Sequence, residues 1–382
     1  MRIRLAENKE EWNRIVEKSP YSVLHHRYEI YKIGIFRKNP LPLIAEEQDC
    51  YFLIPLRIAE IFRSFRMALT PIYDYASIIP DDADALDSMP IVLDHLANFL
   101  CKRGIAYLSM CAPTFYSKPY VNVLNSWFQK RKASTQVLYA HVIRTGNMTF
   151  EMIWKQLFDK HARYNVRRAE REGVNIVEID TEGDLNKWID DIIKCNLSAL
   201  RRQGREGAYP DSYKDVYLSE LIFTKSILGE YYKIYGAVYQ EHLIAYMIVV
   251  AYNKFMQVGK AMSHTKYLGK RPNDALISHI VKRACERGFE VFEYGLRRTR
   301  RGGEIPGLHP DLDLFVSKFG FEERPLFIYR LGLNRTGRVL QYLFSLREFI
   351  LTRYAYLPEP LRDFLLNLYA PRRRNVSDFV VT

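Results

Sequence analysis

Cysteine is scarce and poorly placed for structure. The five cysteines, Cys50, Cys101, Cys111, Cys195 and Cys285, are odd in number, widely spread and never form a C-x-x-C pair. That spacing argues against both a disulfide framework and a structural zinc site, and a reduced cytoplasmic interior is the expected home. Long apolar runs are missing as well. The longest, around Leu243 to Ala251, is too short to span a bilayer. The opening Met1-Arg2-Ile3-Arg4-Leu5-Ala6-Glu7 carries charge where a signal peptide needs an apolar core. A soluble or at most membrane-peripheral protein is expected. Acidic residues are in the minority, 44 against 56 Lys and Arg, which gives a net charge of +12. Such a balance favours phosphates, nucleic acid or an anionic membrane surface as partners without choosing among them.

What is present is ample material for packed cores: 48% of the 382 residues are hydrophobic and 14% aromatic, with 27 Tyr. That length makes two domains the default. The chain also reads as one unit written twice. Leu100-Cys101-Lys102-Arg103-Gly104-Ile105-Ala106-Tyr107 and Ala284-Cys285-Glu286-Arg287-Gly288-Phe289-Glu290-Val291 both spell helix, glycine stop, strand. Each follows a helix that opens near a proline, Pro90 or Pro272, and each is preceded by a strand pair around a short polar turn. The boundary is expected at Thr145-Gly146-Asn147, giving domains 1–146 and 147–333 and a tail over 334–382.

The second unit opens with a basic helix, Lys160 to Arg171, that stops at Gly173. Lys160, Arg163, Arg167 and Arg171 recur three or four positions apart and so form one stripe that could hold a polyanion, with Arg168 beside it. A solvated charged face partnered by Glu170 and Glu172 is the competing reading.

A helix of the form K-x-x-R-x-N-x-R-x-A-x-x-x-G-V, carried here by Lys160, Arg163, Asn165, Arg167, Ala169, Gly173 and Val174, resembles that of the FemAB family of aminoacyl transferases. Pro272, Leu276, Gly288, Glu293 with Gly295, Phe319-Gly320 and Asp74-Tyr75 add to the resemblance, which covers roughly residues 10 to 332. It implies an α/β (α+β) fold of two tandem GNAT-like acyltransferase domains, here followed by a C-terminal helical tail. It further implies transfer of an aminoacyl group from charged tRNA, or of an acyl group from acyl-CoA, to an amine on a phosphate-bearing, cell-envelope-type precursor such as one of peptidoglycan. Neither donor is a tightly bound cofactor, and no metal is expected. In that frame Lys160, Arg163, Arg167 and Arg168 would clamp phosphates, and Glu293, Tyr294 and Lys318 would lie near the transfer site. The family often carries an aromatic-Lys pair four residues before its Phe-Gly, where this chain has Phe315-Val316.

The donor is open at this stage. A CoA site needs a Q/R-x-x-G-x-G/A loop whose bare amides hold the pyrophosphate. In Lys266-Tyr267-Leu268-Gly269-Lys270-Arg271-Pro272 the glycine fits, but Arg271 replaces a small residue and Pro272 has no N–H. That favours aminoacyl-tRNA. A non-catalytic protein binding RNA or anionic lipid is the rival class.

Further candidates are weaker in pattern. Arg297 and Arg298 begin an Arg- and Gly-rich loop after the Glu293 strand that could close on a phosphate, against a plain solvent loop. Asp74 could position the acceptor amine, although an Asp soon after Pro71 is ordinary turn chemistry. His25, His26, His264 and His309 lack a third ligand at metal spacing. In the tail, Val339, Leu340, Leu343, Leu346, Phe349 and Ile350 form a helical stripe flanked by Arg335, Arg338, Arg347 and Arg353. Docking on its own domain ranks ahead of peripheral contact with an anionic membrane.

Overall fold

The computed structural model describes residues 1–61, 65–70, 76–113, 117–202, 212–297 and 310–352. They form two compact units of mixed α/β structure, and the chain passes from unit 1 to unit 2 between Tyr139 and Ala140, within one strand.

Unit 1 contains β1 (Arg2–Leu5), α1 (Lys9–Lys18), β2 (Pro40–Glu47), β3 (Cys50–Ile61), β4 (Phe65–Leu69), β5 (Ile79–Pro80), α2 (Met89–Lys102), β6 (Ile105–Pro113), α3 (Lys118–Lys130) and the first part of β7 (Ser134–Arg144). Unit 2 takes the rest of β7, then α4 (Phe150–Gln156), α5 (Lys160–Arg171), β8 (Asn175–Ile179), α6 (Glu182–Arg202) and α7 (Tyr213–Leu228). It continues through β9 (Tyr232–Tyr239), β10 (His242–Tyr252), β11 (Phe255–Ser263), α8 (Pro272–Glu286), β12 (Val291–Arg297) and α9 (Pro310–Ser317). The chain then returns to unit 1 for β13 (Glu322–Gly332) and α10 (Arg335–Thr352). Cuts at 146/147 and 333/334 would therefore detach β13 from the strand it pairs with: β13 lies antiparallel to β6, Phe327 opposite Ala112. Phe128 of α3 stacks on Tyr329 of β13 at 4.4 Å, and Phe344 of α10 reaches Tyr107 of β6 at 5.5 Å. At Gly337 the helix backbone meets the Ala106 carbonyl, which leaves no room for a Cβ.

The strand order is β1-β2-β3-β4-β6 in unit 1 and β12-β11-β10-β9-β8 in unit 2. The repeated sequence pattern has a repeated local cause. The β2–β3 turn places Gln48 and Asp49 at φ 48° and 65°, and the β9–β10 turn places Gln240 and Glu241 at 48° and 64°. Two consecutive left-handed residues match the twist of the flanking strands, which makes both turns tight hairpins. After α2 and α8 the chain reverses at Gly104 and Gly288, with φ 71° and 72°, a conformation that costs glycine least.

α5 starts at Asp159, whose carboxylate accepts the Ala162 N–H at 2.7 Å, and closes where the Val174 N–H returns to the Ala169 carbonyl at 3.0 Å. Ala162, Val166 and Ala169 turn its inner face into the unit 2 core, together with Leu276, Ile277, Ile280 and Val281 of α8. Fully burying such an aliphatic side chain contributes roughly 1.5–3 kcal/mol, so the inner face fixes which residues look outward.

Candidate active site

The site begins with one glycine. Along β10, Ile248 pairs with Lys260 and Val249 with Val258, so Gly259 of β11 is the extra residue of a bulge. A bulge bends its strand. On its other side β11 runs parallel to β12, paired from Phe255↔Val291 to Val258↔Tyr294, while Gly259 and Gly295, next in line, do not pair. The pair therefore opens just where the bulge falls, and Gly259 is exposed there.

Two of the expected transfer-site residues stand at this opening, on opposite faces of β12. Tyr294, at the last paired position, shares the core face with Phe292 and packs edge-on against Phe321. Glu293 must face the other way by strand alternation, and it is fully buried, level with buried Gln257. Burial, aided by the Asp274 carboxylate, pushes the Tyr294 hydroxyl above its ordinary pKa, so it stays protonated.

Lys318 joins the Tyr294 side through a residue that the sequence reading passed over. Asp274, in the first turn of α8 and 3% exposed, accepts hydrogen bonds from the Lys318 ammonium and, at 3.1 Å, from Asn165 of α5. Two helices and the turn after α9 thus meet on one buried carboxylate. Lys318 also lies 4.4 Å from the Phe315 ring centre, a cation–π contact, and its carbonyl accepts the Asp159 N–H at 2.8 Å. An acid in a helix's first turn normally reads as capping, which is why Asp274 escaped notice. Gly259 had a visible signal, a lone glycine inside a strand pattern. Val316, where the resemblance looked for a lysine, is fully buried in the apolar core.

The basic stripe divides. Arg163 is turned inward, its Nη1 donating to the carbonyls of Trp154 at 3.2 Å, Lys155 at 3.3 Å and Phe158, so it caps the end of α4 rather than facing a ligand. Arg168 is tied to Glu172 at 2.6 Å, and Lys270 meets the same carboxylate at 3.1 Å. Lys160 and Arg167 are exposed, the Arg167 guanidinium 5.7 Å above the Trp154 ring. Asp74, Arg298, His309 and the tail beyond residue 352 lie outside the described residues, as does the Arg297 side chain.

At the start of α8, Arg271 is left-handed, φ 60°, and its N–H donates to the Leu268 carbonyl at 3.0 Å. The Tyr267 N–H donates to the His264 carbonyl at 3.0 Å and the Lys266 N–H to His264 Nδ1 at 3.2 Å. Burial, with help from the Lys266 and Lys194 charges, lowers the His264 pKa and keeps that nitrogen an acceptor. The N–H groups of Lys266, Tyr267 and Arg271 are thus already bonded within the chain. His26 is likewise structural: its Nδ1 accepts the Val23 N–H at 3.0 Å, and its Nε2, which then carries the proton, donates to the Ser77 carbonyl at 3.0 Å. Among the described residues no group of three or more His, Cys, Asp or Glu could hold a metal ion, and no helix is long and apolar enough to cross a membrane.

Comparison with known proteins assigns this arrangement a class. Residues 158–302 match the model described as Acetyltransferase (GNAT) domain. No curated protein matches the sequence. Among solved structures, FemX superposes with a TM-score of 0.66 at 10% identity, over 90% of this chain and 99% of that one. L-PGS from Bacillus licheniformis gives 0.54 at 14% identity, over 90% and 98%. A conserved protein of unknown function from Bacteroides thetaiotaomicron gives 0.55 at 10% identity, over 86% and 99%. At these identities the likeness is one of fold. The expected mixed α/β architecture with GNAT-type structure is borne out, with residues 158–302 carrying the match to a GNAT acetyltransferase domain.

Proposed function

We propose that the protein is a FemAB-like aminoacyltransferase that takes an aminoacyl group from charged tRNA and places it on an amine of a phosphate-bearing, cell-envelope-type precursor. The observation that carries the choice of donor is the start of α8, where Pro272 has no N–H, Arg271 replaces a small residue, and the N–H groups of Lys266, Tyr267 and Arg271 are already bonded. The fold shared with FemX and L-PGS supports the same reading. In this reading the acceptor amine attacks the ester carbonyl at the opening between β11 and β12. A C–N bond forms, the C–O bond to the tRNA ribose breaks, and a proton passes from the amine to the leaving ribose oxygen. Glu293 is the residue we assign to carry that proton. On the opposite face, the protonated Tyr294 hydroxyl and the Lys318 ammonium held by Asp274 supply donors and positive charge for the developing oxyanion.

The test is calorimetric titration with acetyl-CoA at low and moderate salt, beside an assay following labelled amino acid from a charged tRNA pool to a UDP-linked peptidoglycan precursor. Label on the precursor with no salt-resistant acetyl-CoA binding is expected. Saturable acetyl-CoA binding that survives salt, with no tRNA-dependent transfer, would make this an acyl-CoA enzyme instead.

A further inference from the structure

The inward turn of Arg163 changes the outer face of α5. With Ala162, Val166 and Ala169 buried, the opposite face carries Lys160, Tyr164, Arg167 and Arg171, all exposed, spaced four, three and four apart. An aromatic ring has entered the strip where the sequence pattern put a guanidinium. Tyr164 is 57% exposed, in the middle of the row, and makes no ring contact among the described residues. Lys160, Arg167 and Arg171 have no ion-pair partner among the described residues. The single acid within α5, Glu170, is exposed beside them, while Glu172 just beyond is held by Arg168 and Lys270. Arg167 is steadied over Trp154.

We infer that this face binds a single-stranded RNA segment, one base stacking on Tyr164 and the backbone phosphates running along Lys160, Arg167 and Arg171. The inference deepens the tRNA-donor reading above and rests on it for the source of the RNA. Charge decides the class of ligand, because three cations around one acid select a polyanion. The ring decides its kind: every base offers a π-face, so an exposed aromatic among cations suits a single strand, whose bases can unstack. Length argues against a lone diphosphate. At 1.5 Å per residue the row from Lys160 to Arg171 extends about 16 Å, more than one phosphate pair can engage. A membrane surface is disfavoured because the strip offers one ring and no apolar area around it.

The experiment is fluorescence anisotropy of the full chain with a labelled single-stranded RNA of about eight nucleotides, a length within the range one such surface covers. It is run over a salt series and repeated with UDP as competitor. Tyr164→Ala should weaken RNA binding about tenfold, the loss expected for one stacked base, without changing the salt slope. Tyr164→Phe should keep native affinity. Arg167→Gln should reduce the slope of log affinity against log salt by about 0.7, one single-strand phosphate contact. Because Tyr164 is exposed, circular dichroism should be unchanged in each variant. Native RNA affinity in Tyr164→Ala overturns the proposal. So does full displacement of RNA by UDP, with UDP binding itself lost in Tyr164→Ala, which would assign the strip to a nucleotide-linked acceptor. Transfer from charged tRNA together with Tyr164-independent RNA binding would sink this site and leave the proposed function standing. Tyr164-dependent RNA binding in a protein that transfers nothing would do the reverse.

Discussion

Each unit contains a pair of parallel strands bridged by a helix, and the two pairs behave differently. In unit 1, β4 stays paired with β6 to its end, Leu69 opposite Ser109, and the Thr70 N–H adds a bond to the Ser109 carbonyl at 3.0 Å. The irregularity there, between Arg66 and Met67, sits at the start of the ladder. In unit 2 the extra residue, Gly259, falls at the end of the ladder, and β11 and β12 part. The same element order thus carries an irregularity at the start of the β4–β6 ladder in one unit and a bulge beside the end of the β11–β12 ladder in the other. The buried polar anchors differ in kind as well. Unit 1 uses a neutral imidazole, His26, to accept the Val23 N–H and donate to the Ser77 carbonyl. Unit 2 uses an ion pair, Asp274 with Lys318.

That second contrast gives the largest expected effect. Lys318→Met leaves the Asp274 carboxylate buried without its cation, a type of change that costs about 3–5 kcal/mol. Urea denaturation should show a drop of that size, and adding Asp274→Asn should recover part of it. A loss below about 1 kcal/mol would mean that the pair is solvated and does not anchor α5, α8 and the turn after α9.

The neutral anchor of unit 1 should appear as a pH dependence. Burial, reinforced by the His25 charge, lowers the His26 pKa to about 3, against the 6.5 of a free imidazole. The folded imidazole therefore stays neutral while the unfolded one protonates. Its contribution is complete above pH 6.5 and is lost as pH falls through the interval down to about 3. The slope approaches about 1.4 kcal/mol per pH unit. Between pH 6.5 and 5, before carboxylates titrate, His26→Gln should flatten the stability profile measured by denaturation. His264 and His279 of unit 2 are lowered in the same direction, chiefly by burial, so the slope should shrink without vanishing. An unchanged slope would mean that His26 takes up its proton in the folded state.

Much of the scaffold was legible because it is written locally. The glycine stops at Gly104 and Gly288, the polar hairpin turns and the basic helix each depend on neighbours in sequence, and each lies where its pattern put it. What was hidden depends on distant segments. Nothing near Phe327 says that β13 pairs with β6 rather than staying with unit 2. Nothing around Asp274 announces a lysine 44 positions away. Strand alternation was readable and went unused at Glu293 and Tyr294, adjacent residues that cannot share a face.

The smallest effect sharpens the difference between two arginines that looked equivalent in sequence. Arg163 and Arg167 are four residues apart on one helix, yet Arg163 bonds the carbonyls that end α4 while Arg167 stands exposed over Trp154. Arg163→Ala should cost about 1.5–3 kcal/mol of stability, the range for hydrogen bonds involving a charged group, with little change in affinity for an anionic ligand at saturating folded protein. Arg167→Ala should do the opposite, because an exposed guanidinium contributes little to folding and its charge is available to a ligand. Thermal denaturation and anisotropy on the same two samples decide the matter. If both variants lost affinity and neither lost stability, the stripe would have to be drawn again through Arg163, and the capping geometry would count for nothing.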